Sequence, residues 1–92
     1  MARTVLIVDD SASLRQVVGI TLRGAGYEVI EASDGMHALS ALDGRKVHLI
    51  ISDVNMPNMD GITFVRTLKS MPDYRFTPVM MLTTETEQGK KE

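Results

Sequence analysis

Short apolar runs of strand length alternate with segments of helical period along the chain, and this alternation leaves few folds open. Thr4-Val5-Leu6-Ile7-Val8 is continuous, brief and rich in β-branched residues, the pattern of a strand buried on both faces. Behind it, Leu14, Val17, Val18, Leu22 and Ala25 recur at the spacing of one helix face, and Gly24 and Gly26 stand where such a helix would stop. Its start is open: Ser13 with Gln16 could form a capping box, whereas Asp10 or Ser11 would cap it earlier. Tyr27 to Ala32 reads as a second strand centred on Val29 and Ile30. Asp34 then caps a short helix holding Ala38, Leu39 and Leu42, closed by Asp43-Gly44. Val47 to Ser52 is a third, nearly all-apolar strand that ends at Asp53. After a loop of methionine and proline, Asp60 caps a helix whose inner face uses Ile62, Val65 and Leu68, with Phe64 beside it. Met71-Pro72-Asp73 breaks that helix, and Pro78 to Leu82 is a fourth strand reaching Thr83. Strands joined by helices at this spacing predict right-handed βαβ units, an α/β fold with a parallel sheet.

Composition narrows the function classes. The 92 residues allow one compact domain, and 43 % hydrophobic with 24 % charged residues is the balance of a globular chain. Ten basic against twelve acidic side chains give a net charge of −2, which offers no electrostatic reason to expect nucleic acid or an acidic membrane as partner. With no cysteine, disulfides and thiolate metal sites are excluded. Met1-Ala2-Arg3-Thr4 runs directly into a short strand, without the longer apolar region of a secretory signal, and no apolar run approaches transmembrane length. The expected compartment is the cytoplasm.

In an open parallel sheet, ligands bind beyond the carboxyl ends of the strands, where the strand order reverses. Asp9-Asp10, Asp53 and Thr83 each follow an apolar run directly, at the ends of strands one, three and four. Asp9 and Asp10 are adjacent, so their side chains leave the backbone in different directions; one is expected to be a direct ligand and the other to act through water. Three clustered carboxylates repel one another and are costly to desolvate unless something neutralises them. A hard divalent cation does so most simply, and Mg²⁺ suits a few carboxylates with waters and phosphate oxygens. In such a site an aspartate can attack a phosphoryl group in line, and Thr83 is placed to supply a hydroxyl to the developing oxygen charge. Taken singly, Asp10 could be only a helix cap, Asp53 a loop carboxylate and Thr83 a solvated strand end. Their occurrence together, in order on alternate elements, favours a site. Met36, Met56, Met59, Met71, Met80 and Met81 are read as core and loop fillers. His37 and His48 lie off the strand-end edge and receive no chemistry, and Lys90-Lys91-Glu92 reads as a solvated helix start.

Three segments carry a family likeness: VLIVDDS around the acidic pair, ISDVNMPNMDG around Asp53, and PVMMLTTE at the end of strand four. On these the chain resembles the response-regulator receiver domains of two-component signalling, of the chemotaxis CheY-like type, over its whole length. The resemblance implies a flavodoxin-like doubly wound sheet of order 2-1-3-4. It implies that Asp53 accepts a phosphoryl group from a histidine kinase. Asp10 would bind Mg²⁺ directly, Asp9 would bind it through water, and the backbone carbonyl of Asn55 would complete the protein ligands. Thr83 would bond a phosphoryl oxygen and act as the switch. Pro57 and Gly61 would shape the loop, Pro57 by fixing φ and Gly61 by allowing a close helix start. Asn55 and Glu85 would tune the lifetime of the acyl phosphate. A downstream output protein such as a flagellar motor component is the implied second partner.

Receivers of this family also carry a lysine after a fifth strand and a helix beyond it. The sequence stops at Glu92, where the fourth helix should be starting, and none of Lys46, Lys69, Lys90 and Lys91 sits at such a place. Residues 1–92 are therefore expected to be a single receiver domain, incomplete at its C-terminal side. Strand four would become a sheet edge. Its sequence Val79-Met80-Met81-Leu82 has no charge or mid-strand proline to discourage pairing, so two copies are expected to associate there. Three other readings compete. A haloacid-dehalogenase-type phosphatase or phosphotransferase also uses a strand-end aspartate, but needs a second one two residues on, where this chain has Asn55. A dinucleotide-binding half-domain needs a glycine-rich first turn, where this chain has Asp9-Asp10-Ser11. A structural fragment without a competent site is the remaining alternative.

Overall fold

The computed structural model describes residues 3–54, 56 and 58–82. The elements run β1 (Thr4–Val8), α1 (Ala12–Gly24), β2 (Glu28–Ala32), α2 (Gly35–Leu42), β3 (Leu49–Asp53), α3 (Gly61–Lys69) and β4 (Val79–Leu82). The four strands form one parallel sheet in the order β2-β1-β3-β4. From β1 the chain first steps outward to β2, then returns past β1 to β3 and continues to β4. The direction of winding thus reverses between β1 and β3, and that reversal puts the helices on opposite faces of the sheet.

Alternation along each strand divides the core in two. Leu6 and Val8 of β1, with Ile50 of β3, pack with Ala38 and Leu42 of α2 and Phe64 and Leu68 of α3. Val5, Ile7 and Ile51 point the other way, toward Val18 and Leu22 of α1. β1 is buried along nearly its whole length because it is central and covered on both faces. Tyr74, between α3 and β4, fills one end of the larger cluster and satisfies its hydroxyl by donating to the Arg45 carbonyl at 2.8 Å.

Several local expectations need correction. α1 starts at Ala12, capped by Ser11, whose Oγ accepts the Leu14 N–H at 3.3 Å; Ser13 lies inside the helix. Tyr27 is not in β2, because its N–H turns back to the Leu22 carbonyl at the end of α1. Val47 is buried without belonging to β3, so its apolar character reflects packing and not strand pairing. Asp53, in contrast, is the last residue of β3, opposite Leu82 of β4. Pro78 has no N–H to give and contributes only its carbonyl, to the Ile50 N–H, so β4 begins at Val79. On α3 the inner face is Gly61, Phe64 and Leu68, while Ile62 is 53 % exposed. Val17 on α1 points outward as well, as do Met36 and Met80, which are not core fillers.

Candidate functional site

The carboxyl ends of β1 and β3 are neighbours in the sheet, and the reversal of winding opens a crevice between them. Asp9 and Asp10 leave the end of β1, and Asp53 ends β3. Their carboxylates converge: one oxygen from each lies within 4.8 Å of the other two. Asp9 and Asp53 are buried, whereas Asp10 is exposed at the mouth.

Each buried carboxylate is aimed by one main-chain N–H. Asp9 Oδ1 accepts from Ser11 at 2.8 Å, in the turn that also delivers the α1 cap. Asp53 Oδ1 accepts from Val54 at 2.8 Å. Asp9 Oδ2 is buried and has no hydrogen-bond partner, the one such side-chain atom among the described residues. Burial pushes the Asp9 carboxyl above its usual range; the Ser11 N–H pulls it back, the Asp53 and Asp10 charges raise it further, and Arg15 lowers it. An unpartnered buried oxygen beside two more carboxylates is an incomplete arrangement that a cation would complete. The donors are all hard oxygens, so the residues fit Mg²⁺ and not a thiolate-seeking or imidazole-seeking metal.

The floor of the crevice depends on Gly61. α3 starts so close to β3 that a Cβ on Gly61 would stand 2.3 Å from the Asp53 carbonyl oxygen and 2.9 Å from Val54 Cα. The Gly61 N–H closes the intervening loop by donating to the Val54 carbonyl at 2.8 Å. Asp60 caps α3 through the Thr63 N–H, and Asp34 caps α2 through the His37 N–H while accepting from Asn58 Nδ2 at 2.8 Å. The last contact ties the loop after Asp53 to the start of α2. His37 Nδ1 accepts from the nearby Ser33 N–H, and His48 Nδ1 accepts from the Thr4 N–H at the start of β1, away from the carboxylates. Thr83, Asn55, Pro57 and Glu85 lie outside the described residues. Sequence reading passed over Arg15, whose Nη1 donates to the Asp9 main-chain carbonyl at 2.6 Å. The available signal was an arginine one turn into the helix that follows an acidic turn.

Comparison with known proteins points one way. Residues 5–92 match the family model described as the response regulator receiver domain. The chemotaxis protein CheY1 of Helicobacter pylori is 39 % identical over 82 residues, which are 87 % of this chain and 66 % of that protein. The phosphate regulon transcriptional regulatory protein PhoB of Pseudomonas aeruginosa is 36 % identical over 91 residues, 99 % of this chain and 40 % of that protein. The chain thus spans just under two thirds of the first relative and less than half of the second. Among solved structures, the chemotaxis response regulator CheY4 of Vibrio cholerae superposes with a TM-score of 0.89 at 50 % identity, covering 99 % of this chain and 76 % of that one.

Proposed function

The chain belongs to the response-regulator receiver family, and from that premise we propose that Asp53 is its phosphoacceptor, served by Mg²⁺ held at the Asp9, Asp10 and Asp53 carboxylates. The observation that carries the reading is the convergence of those carboxylates at the β1/β3 crevice around an unpartnered Asp9 oxygen. The family reading also sets aside the phosphatase and dinucleotide alternatives.

In the proposed reaction an oxygen of Asp53 attacks the phosphorus of a phosphohistidine on the kinase. The new O–P bond forms as the P–N bond breaks, and the departing imidazole nitrogen keeps the electron pair. The Val54 N–H holds Oδ1 and so orients the carboxylate for in-line approach. The Ser11 N–H fixes Asp9 in the same way. Gly61 lets α3 begin against the Asp53 carbonyl, which keeps the acceptor strand packed against the start of that helix. Asp9, Asp10, Asp53 and the Asn55 carbonyl would hold the Mg²⁺, which when bound offsets the carboxylate charge and the charge developing on phosphoryl oxygens. From the family resemblance we assign Thr83 a hydrogen bond to the phosphoryl group and the switch role, Pro57 the shaping of the loop, and Asn55 and Glu85 the tuning of acyl-phosphate lifetime. The output is altered binding of a downstream partner, in chemotaxis by analogy with the CheY1 and CheY4 relatives.

Incubation with a small phosphoryl donor and intact-mass measurement tests this. The chain should gain one phosphoryl group with Mg²⁺ and none in EDTA, and Asp10→Ala should lose most of the Mg²⁺-dependent labelling. Equal labelling of Asp10→Ala, or labelling that ignores EDTA, contradicts the proposal.

A further inference from the structure

Three charged side chains on the α1 side of the sheet have no role so far. Glu31 of β2 takes one arginine on each carboxylate oxygen: Arg15 Nε on Oε1 at 3.4 Å and Arg23 Nη2 on Oε2 at 3.3 Å. The Arg15 side chain is only 19 % exposed, while Arg23 is half exposed. Arg15, Gly19 and Arg23 are spaced four apart and so share one face of α1. Gly19 is buried between the arginines. A Cβ there would stand 3.3 Å from Glu31 Oε2 and 3.2 Å from Arg23 Nη1. Glycine inside a helix is unfavourable relative to alanine. At this position it leaves the Glu31 carboxylate room to lie across the helix between two arginines.

The clamp adjoins the acidic crevice. Arg15 spends Nη1 on the Asp9 main-chain carbonyl, and its ion pair among the described residues is with Glu31 alone. A guanidinium beside clustered carboxylates is the natural internal rival of a divalent cation, since a forked charge-assisted bond to carboxylate is what arginine makes best. The second partner of Arg15 is Glu31, whose other carboxylate oxygen is taken by Arg23.

We propose that Glu31 is a positioning residue that anchors the Arg15 guanidinium on the Asp9 main-chain carbonyl and so leaves the Asp9–Asp10–Asp53 carboxylates free for a divalent cation. This rests on the reading of that cluster as a cation site. Freed from Glu31, Arg15 swings onto the carboxylates and competes with the cation from within.

Calorimetric titration with Mg²⁺, paired with thermal melts in EDTA, tests the inference in four chains. Glu31→Gln should bind Mg²⁺ roughly tenfold more weakly than the wild type, the scale of one unit charge acting over several ångströms in a partly solvated site. Glu31→Asp keeps the charge but is too short to span both arginines, and should be weakened to a similar degree. Glu31→Gln with Arg15→Met should recover the wild-type affinity to within about twofold, because the internal rival is gone. Arg15→Met alone should bind at least as tightly as the wild type, and it carries the test if a Glu31 variant fails to fold. A wild-type affinity in Glu31→Asp would show a charge effect without positioning and overturn the inference. So would lowered melting in EDTA with unchanged Mg²⁺ affinity, or loss of Mg²⁺ binding in folded Arg15→Met. A wild type that binds no Mg²⁺ would overturn the cation-site reading itself, and is told apart by the first titration.

Discussion

Gly61→Ala should damage this fold far more than the same change at Gly35 or Gly24, because the added methyl meets backbone. Gly61 and Gly35 both occupy the first position of a helix, after an aspartate cap. At Gly61 the new Cβ would lie 2.3 Å from the Asp53 carbonyl oxygen, about 1.1 Å inside an ordinary 3.4 Å contact. That oxygen belongs to a strand paired with β4, so relief requires α3 to move off β3. At Gly35 the nearest atoms belong to the Met59 side chain: a rotamer change clears Sδ at 2.9 Å and Cγ at 3.0 Å, and Cβ at 3.1 Å needs a shift of a few tenths of an ångström. At Gly24 nothing lies within 4 Å. Overpacking against an unyielding neighbour costs about 1–3 kcal/mol, set against a gain of about 0.4–1 kcal/mol from the restricted unfolded chain. Gly61→Ala should therefore lose about 2 kcal/mol, Gly35→Ala less than about 1 kcal/mol, and Gly24→Ala should be neutral or slightly stabilised. Urea unfolding followed by far-ultraviolet circular dichroism in EDTA reads all three on one scale. A Gly61→Ala chain as stable as the wild type, or less affected than Gly35→Ala, would refute the close approach of α3 to β3.

Three further outcomes follow from the packing and the caps. Phe64→Ala should lose about 3–5 kcal/mol while Ile62→Ala stays within about 0.5 kcal/mol, since Phe64 is fully buried and Ile62 half exposed; comparable losses would restore Ile62 to the inner face. The Asp60 carboxyl is held below its ordinary value of 3.8, chiefly by the Thr63 N–H, so its cap contribution is complete above that pH and is lost as pH falls through the depressed value. Asp60→Ala should thus be less stable than the wild type at pH 7, with the gap closing in strong acid; a gap independent of pH would show that the ionised cap is not what matters. Among the described residues β4 has one strand neighbour and Met80 is 51 % exposed, so a polypeptide of these 92 residues should associate through β4. Light scattering behind size exclusion across a dilution series checks this, and a monomer at every concentration speaks against it.

The strands and helices were legible because each carries a strong local signal: continuous β-branched runs for β1 and β3, and aspartate caps for α2 and α3. The acidic pair and Asp53 were legible for a topological reason, since residues at the ends of parallel strands must meet at one edge. What local pattern could not settle was which apolar residue faces inward. Ile62 and Phe64 fit a helical stripe equally well until the Gly61 contact with β3 fixes the roll of α3. Val47 was misassigned to the start of β3 because hydrophobicity marks burial, while strand membership is decided by the neighbour's hydrogen bonds. The Arg15–Glu31–Arg23 clamp spans two elements and involves charged residues that, in sequence, look like ordinary surface.

The central claim is that Asp53 is the residue that carries the phosphoryl group. Treatment with a small phosphoryl donor and Mg²⁺, followed at once by borohydride, reduces an aspartyl phosphate to homoserine, and peptide mass spectrometry then locates it. Homoserine should appear at position 53 and nowhere else, and should vanish in Asp53→Asn and in EDTA. Homoserine at position 9 or 10, or its persistence in Asp53→Asn, would contradict the assignment.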